Sequence, residues 1–187
     1  MPEKVRFGIK NVHFGEFNVS TSGTVTLGTP YALPGAVNMT MEPESDLEEF
    51  YADDTVYWAS YSDNGYTGEL EMALFPDEFK TRFLQYVALT NGGVAHVKGK
   101  QPPACYIMFE GEGDTANRRG IVYNVALGKI NRERSTTEDT KTPQTATLPF
   151  KVNGDPGTGI LQVGFPETAA AYSTMFTTPP VPALPTT

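Results

Sequence analysis

The chain has 187 residues, which predicts a single domain large enough to bury a sizeable hydrophobic core. Its net charge of -8 disfavours a nucleic-acid-binding protein, because binding to a phosphate backbone depends on Lys and Arg. The single cysteine, Cys105, excludes an internal disulfide framework and a cysteine-rich zinc site. No apolar run approaches the ~18 residues of a membrane span, and the N-terminus lacks the apolar segment of a signal peptide, so we expect synthesis in the cytoplasm.

The N-terminal part of the chain predicts two strands separated by a long loop. Apolar and polar residues alternate over residues 5–14 and again over residues 36–42, the pattern of a half-buried strand. Residues 15–35 are rich in Thr, Ser, Gly and Pro, which predicts a loop with a short hairpin near residues 24–27.

The next part of the chain predicts an acidic loop followed by a hairpin. Residues 43–50 are read as the loop, and residues 55–62 and 66–75 as two strands that meet at Asn64-Gly65. Asn-Gly favours a tight hairpin turn, because both residues tolerate positive φ. In the second strand, one set of alternate side chains is predicted to face the core and the other to face away. The inward set is Leu70, Met72 and Leu74, and the outward set includes Glu69 and Glu71.

One helix is predicted after this hairpin. Pro76-Asp77 is a typical helix start, and Phe79, Phe83 and Val87 follow at the i, i+4, i+8 spacing of a single helix face. Asn91-Gly92-Gly93 is predicted to end it.

The C-terminal half predicts four further strands and an extended tail. The strands cover residues 104–109, 120–130, 145–152 and 160–165. Pro149 places the third of them at a sheet edge or at a bulge, because proline cannot donate a ladder hydrogen bond. Residues 167–187 contain four prolines and little apolar surface, which predicts a tail outside the core.

The predicted elements define a β-rich α+β fold, an antiparallel β-sandwich or barrel with one flanking α-helix. We divide the chain into one domain over residues 1–166 and an extended C-terminal tail over residues 167–187.

The charges are unevenly distributed along the chain. Residues 11–79 contain thirteen acidic residues and no Lys or Arg, so the remainder carries a net charge of +5. Such a chain has an acidic face, which is either a solvated surface, a surface that repels polyanions, or one that meets a basic region of another subunit.

No catalytic motif is present, and we expect no enzymatic activity, cofactor or metal. His13 and His96 stand apart from each other and from any metal-ligand spacing. Cys105 is flanked by apolar residues, which indicates a buried, inert thiol. The glycine-rich residues 154–159 lack the Lys-Ser/Thr ending of a phosphate-binding loop.

Four segments, taken in order, resemble a known family. They are Val5-Arg-Phe-Gly-Ile-Lys-Asn-Val-His13; Gly28-Thr-Pro-Tyr-Ala-Leu-Pro-Gly-Ala-Val37 with Phe50-Tyr-Ala-Asp-Asp54; Asn64-Gly-Tyr-Thr-Gly-Glu-Leu-Glu71 with Ala73-Leu-Phe-Pro-Asp77; and Gly120-Ile-Val-Tyr-Asn124 with Gln144-Thr-Ala-Thr-Leu148. Their order and spacing are similar to those of the phi13-type major tail proteins, the tail tube proteins of long-tailed phages of Gram-positive bacteria. The resemblance covers about residues 3–153.

The resemblance implies a structural protein of the virion tail. Such subunits stack as hexameric rings into a hollow tube around a tape-measure protein, and the tube conducts DNA into the host without binding it specifically. The implied partners are other copies of the chain, the tape-measure protein, the tail terminator and the baseplate or distal tail proteins, with no membrane partner. The implied fold joins the sheets of neighbouring subunits into a continuous inner barrel.

Two sets of residues are candidates for roles in such a tube. An acidic lumen would repel DNA phosphates, and the side chains expected to line it are Glu69, Glu71, Glu42, Thr40 and Asn38. Contacts between subunits are expected to pair acidic with basic side chains. The acidic candidates are Glu44, Asp46, Glu48 and Glu49, and the basic candidates are Arg118, Arg119, Arg132 and Arg134.

Two alternatives remain open at the level of sequence. One is a virion component that forms a single ring, such as a tail terminator or head-decoration protein. The other is a non-virion β-sandwich binding module, in which Trp58 and Tyr61 would line a ligand cleft.

Overall fold

The computed structural model describes residues 7–112, 117–132 and 144–185, and this part of the chain contains twelve strands and one helix. The strands are β1 (Phe7–Val19), β2 (Val25–Leu27), β3 (Tyr31–Ala32), β4 (Ala36–Ala52), β5 (Thr55–Met72), β6 (Val87–Ala88), β7 (Val94–Ala95), β8 (Cys105–Glu112), β9 (Arg119–Leu127), β10 (Asn131–Arg132), β11 (Ala146–Val152) and β12 (Gln162–Phe165). The helix is α1 (Asp77–Phe83). The predicted strand-rich class with one helix is confirmed.

Ten of the strands form one antiparallel sheet in the order β2-β1-β8-β9-β11-β5-β4, with β3, β10 and β12 paired beside β1, β11 and β9. The short strands β6 and β7 pair with each other. Strand β4 hydrogen-bonds to β5 on one side only within the described residues. The sheet is therefore open, and of the two predicted architectures the closed barrel is not formed.

The main core lies between the sheet and helix α1. Phe79 and Phe83 are fully buried, as their spacing of four residues predicts, and Phe14 of β1 meets the Phe79 ring edge-on at a centroid distance of 4.9 Å. Leu70 and Met72 project from β5 into the same core and are also fully buried. Period-two alternation in β5 and period-four spacing in α1 thus direct apolar side chains to one interface.

Strands β4 and β5 differ from the prediction in length and in the position of their turn. Residues 43–50 are not a loop, because β4 runs through them to Ala52. The chain reverses at Asp53 and Asp54, whose φ angles of 51° and 61° suit the positive-φ positions of a tight hairpin turn. Asn64-Gly65, the predicted turn, lies inside β5.

Gly65 supports a close strand contact rather than a turn. Its φ is +84°, and a Cβ atom there would lie 2.1 Å from the carbonyl oxygen of Val152 in β11. The register of β4 against β5 shifts by one residue at this level, between Pro43 and Ser45. The positive φ that predicted a turn is therefore used at a β-bulge-like irregularity.

Helix α1 is shorter than predicted. It ends at Phe83, and Gln85 follows with a φ of 57°, which an α-helix cannot continue through. Val87, predicted as the third residue of the buried helix face, lies in β6 and is exposed. Leu74 is also misassigned by the alternation, because β5 ends at Met72 and the Leu74 side chain is 70% exposed.

Pro149 lies in an interior strand, so of the two predicted positions, a sheet edge or a bulge, the sheet edge is wrong. Strand β11 pairs with β5 along its whole length, and Pro149 stands opposite Glu69. On its other side, β11 pairs with β9 only from Phe150 onward and with β10 only at residues 146–147. Pro149 occupies the gap between these two pairings, where no ladder hydrogen bond requires its nitrogen.

The C-terminal segment packs on the sheet, contrary to the prediction that it lies outside the core. Met175 is fully buried in a second apolar cluster with Tyr106 and Tyr123. The Tyr123 hydroxyl donates a hydrogen bond of 2.8 Å to the carbonyl oxygen of Pro180. Val181 and Leu184, near the end of the segment, are 52% and 62% exposed and do lie outside the core.

The end of β5 can be tested by substitutions at Leu70 and Leu74, two positions that the alternation predicted to face the core. Leu70→Ala should lower the free energy of unfolding by about 2–5 kcal/mol, because it leaves a cavity in a fully packed core. Leu74→Ala, the same change at an exposed position, should alter it by less than about 0.5 kcal/mol. Chemical denaturation measures both, and equal losses would contradict the assigned end of β5.

Candidate assembly surfaces

The five predicted lumen-lining side chains lie on one face of the sheet. Directly opposite residues of antiparallel strands share a face, and Asn38 stands opposite Glu71, Thr40 opposite Glu69, and Glu42 opposite Thr67. Leu70 and Met72 project to the other side, into the core. We call the outward surface of β4, β5 and β11 that carries these five residues the polar face.

The polar face is concave and mainly acidic. A cavity of about 610 Å³ opens on it, with Thr40, Glu42, Glu69 and Lys151 in its lining. Lys151 Nζ lies 2.8 Å from Glu44 Oε2, so its positive charge is paired at the edge of the cavity. Glu42 and Glu69 remain exposed, which gives this surface a negative potential.

Residues 44–63, here called the arm, extend the β4–β5 hairpin beyond the sheet. In this stretch the two strands pair only with each other. Seven large apolar side chains of the arm are exposed, by between 48% and 76%. They are Leu47, Phe50, Tyr51, Val56, Tyr57, Trp58 and Tyr61. An isolated two-stranded hairpin is marginal in water, so this surface is suited to burial against another molecule.

Both faces of the arm carry apolar side chains. Phe50 stands opposite Trp58 on one face, and Leu47 stands opposite Tyr61 on the other. Trp58 and Tyr61 are three residues apart in one strand and therefore point in opposite directions. They do not line a common cleft, so the ligand cleft proposed for a binding module is not formed by these residues.

The arm also concentrates negative charge, with seven acidic residues and no Lys or Arg. Asp46 accepts a hydrogen bond from Asn64 and Glu49 accepts one from the Tyr51 hydroxyl, at 3.1 and 2.7 Å. Glu48 is exposed. Among the four acidic candidates for subunit contacts, three lie along the arm itself, while Glu44 is paired with Lys151 at its base.

The four basic candidates have different surroundings. Arg118 and Arg132 are exposed, and Arg134 lies outside the described residues. Arg119 instead contacts residues of its own subunit. Its Nε donates to Glu110 Oε2 at 3.1 Å, and its guanidinium carbon lies 4.0 Å from the centroid of the Tyr172 ring and 4.7 Å from that of Phe176.

Glu110 connects β1, β8 and β9 beneath this arginine. Its carboxylate is 9% exposed and accepts hydrogen bonds from Asn11 and Arg119, with Lys10 Nζ at 3.4 Å. Burial raises the pKa of Glu110, but the hydrogen bonds from Asn11 and Arg119 and the nearby positive charges outweigh burial, and its pKa lies below the ordinary value.

The two histidines and Cys105, which were considered for catalysis or metal binding, are engaged in packing: both histidines stack on aromatic rings, and the cysteine is buried. His13 stacks on Phe176 and His96 stacks on Tyr86, at centroid distances of 4.5 and 4.8 Å. Cys105 is fully buried, and burial raises the pKa of its thiol to about 12. Within the described ranges, no group of three His, Cys, Asp or Glu side chains is placed to hold a metal ion. None of the helices described there is long and apolar enough to cross a bilayer.

Sequence reasoning missed the apolar character of the arm. The acidic residues that dominate residues 43–50 predict a loop, but Leu47 and Phe50 stand among those acids at strand positions. Large apolar residues inside an acidic run, opposite a second run rich in aromatics, were the signal available for a long hairpin.

No protein-family model and no curated protein sequence matches the chain.

The carboxylate of Glu110 should stabilise the fold in a pH-dependent way. Because its folded pKa is depressed, its contribution is present above the unfolded pKa, near 4.3, and is lost as pH falls through the folded pKa. Glu110→Gln should therefore lower the free energy of unfolding by about 1–3 kcal/mol near neutral pH, and the difference should shrink below about pH 4.

Denaturation of both proteins as a function of pH measures this difference. Glu78→Gln, which changes an exposed carboxylate on α1, is the matched control and should stay within about 0.5 kcal/mol of the parent protein. A Glu110→Gln deficit that is equally large at neutral and acidic pH would contradict the role assigned to its charge.

Proposed function

We propose that the protein is a structural subunit of a phage tail tube, which stacks as rings into a hollow conduit for DNA. The observation that carries the proposal is the arm, with seven large exposed apolar side chains on a hairpin that no other part of the described chain covers. An exposed apolar surface of this extent is typical of an interaction site, and a polymer would bury it between copies. The resemblance of the four sequence segments to tail tube proteins supports a tail tube as that polymer.

The open edge of the sheet also supports assembly. Among the described residues, no strand pairs with the outer edge of β4, which is 17 residues long. An open edge of this length risks uncontrolled association unless another strand pairs with it. Pairing around a closed ring removes the free edge from every copy at once.

The polar face suits the inner wall of the conduit. It is concave, it carries Glu42, Glu69 and Glu71, and the one described lysine beside its cavity is paired with Glu44. Repeated around a ring, these carboxylates form a wall that repels DNA phosphates. DNA then passes without the release of counterions that would favour its binding to the wall. The tape-measure protein would occupy the same channel before ejection.

Electron microscopy of the purified protein tests the proposal directly. Tubes support it, whereas single rings favour a tail terminator or head-decoration protein, and a monomer at high concentration and low salt would contradict assembly altogether. The test is informative because a heterologous contact that does not close grows into an open-ended filament, whereas a closed contact stops at one ring.

Reversal of charge on the arm should impair assembly without unfolding the subunit. Glu48→Lys combined with Glu49→Lys changes two exposed residues, so the melting temperature should hardly change while tubes are lost or need much higher protein concentration. Glu78→Lys with Glu167→Lys makes the same change of charge at exposed positions outside the arm. Normal tubes from the arm variant would exclude an electrostatic role for these residues.

Labelling of single cysteines should locate the polar face inside the tube. Thr40→Cys lies on that face and Glu78→Cys on α1, and both positions are exposed in the subunit. Cys105 adds little background, because it is buried and its pKa is raised to about 12. In assembled tubes, a maleimide attached to a bulky polymer should label Glu78→Cys readily and Thr40→Cys at least tenfold more slowly.

Disassembled subunits should show no such difference between the two cysteine variants. Equal labelling of both in intact tubes would place the polar face on the outside or between subunits, and the lumen assignment would then be wrong.

A further inference from the structure

An apolar groove of about 520 Å³ lies close to the base of the arm, where β1, β4, β8, β9 and β12 contribute to its lining. Its lining includes the side chains of Ile9, Met39, Met41 and Phe109, which are only partly buried. Arg118 and Arg119 stand at its side. The volume lies within the range of about 300–1,000 Å³ that is typical of ligand pockets, so the groove accommodates side chains rather than a whole strand.

The outer half of the arm has the complementary chemistry. Phe50 and Trp58 stand opposite each other on one face and are 59% and 54% exposed. Asp53 and Asp54 form the adjacent turn. We propose, resting on the function proposed above, that the Phe50–Trp58 pair of one copy inserts into the Met39–Met41 groove of a second copy, with the acidic turn beside Arg118.

The arm cannot fill the groove of its own subunit. Its strands run for about ten residues at roughly 3.3 Å per residue, which places the turn about 30 Å from the base. Met39 and Met41 belong to β4 just before the arm begins, and the paired strands lead away from them. The occupant is therefore another copy, and each copy offers both an arm and a groove.

This pairing joins two different surfaces, so it is heterologous and repeats from copy to copy. A contact between the far end of an arm and the base of the next offsets successive copies by about one arm length. It thus supplies a defined connection along the growth direction of the proposed tube, separate from the pairing of sheet edges around a ring.

Charge favours this groove over the cavity on the polar face. The cavity on the polar face contains Glu42 and Glu69, which would repel the acidic turn. Among the residues that the structure describes, the lining of the Met39–Met41 groove contains no carboxylate, and the carboxylate behind it, Glu110, is engaged by Arg119 and Lys10.

The chemistry of the groove also suits aromatic guests. Methionine side chains adapt to irregular shapes and make favourable contacts between sulfur and aromatic rings. An arginine next to an indole or phenyl ring adds a cation–π attraction. Trp58 in particular belongs to the residue types that dominate the affinity of interfaces.

Crosslinking between two variants tests the contact. Ser60→Cys lies on the same arm face as Trp58, and Gln162→Cys is an exposed position in the lining of the groove. The two purified variants are mixed under assembly conditions and treated with a short bis-maleimide. A covalent dimer that forms only in the mixture, and not when Glu78→Cys replaces Gln162→Cys, is the expected result.

A second variant tests the energetic role of the aromatic pair. Trp58→Ala should raise the protein concentration needed for assembly at least tenfold, while its melting temperature as a monomer stays near that of the parent. Thr55→Ala, an exposed change near the same turn, should assemble at the parent concentration.

The outcomes separate this contact from the proposed function. Tubes without the specific crosslink, or Trp58→Ala tubes at the parent concentration, would overturn the groove contact and leave the tail tube proposal standing. A protein that stays monomeric and forms no crosslink would overturn both.

Discussion

The pairing of β4 with β5 is the interaction on which the rest of the structure depends. One continuous antiparallel ladder presents Leu70 and Met72 to the core, the polar face to the opposite side, and the arm beyond the sheet. Because side chains alternate with a period of two, the register that buries Leu70 also fixes Thr40, Glu42 and Glu69 on the outer surface. A slip of one residue would exchange the two faces and expose the core.

The shift of register near Gly65 separates the two parts of this ladder. Over residues 66–72, β5 is an interior strand of the sheet and pairs with both β4 and β11. Beyond the shift, in the arm, it pairs only with β4. A bulge-like irregularity increases local twist, so the orientation of the arm is set where it leaves the sheet. The close approach of Gly65 to the Val152 carbonyl ties this orientation to β11, and hence to the core.

The second apolar cluster explains the continuous apolar runs in β8, residues 105–109, and in β9, residues 121–123. Cys105 and Ile107 face the main core, while Tyr106 and Met108 face the C-terminal segment. A strand covered on both sides reads as a continuous apolar run instead of an alternating one. Arg119 holds the C-terminal segment by stacking on the rings of Tyr172 and Phe176. Glu110 pairs with the charge of Arg119, so an ion pair is buried where the segment packs on the sheet.

The amino-acid sequence by itself determined the local features of this protein. Period-two alternation predicted most of the strands and the shared outward face of Asn38, Thr40 and Glu69. The spacing of Phe79 and Phe83 predicted the buried side of α1. These features depend on neighbours within a few residues, which a linear pattern records.

Only the tertiary structure decided the features that depend on distant partners. Gly65 is needed for the approach of β11, and Pro149 is tolerated because β9 and β10 leave a gap beside it. Met175 is buried because β8 and β9 offer it an apolar surface. The arm likewise appears only when residues 43–50 find their partners in β5, since an acidic run predicts a strand only once its cross-strand neighbours are known.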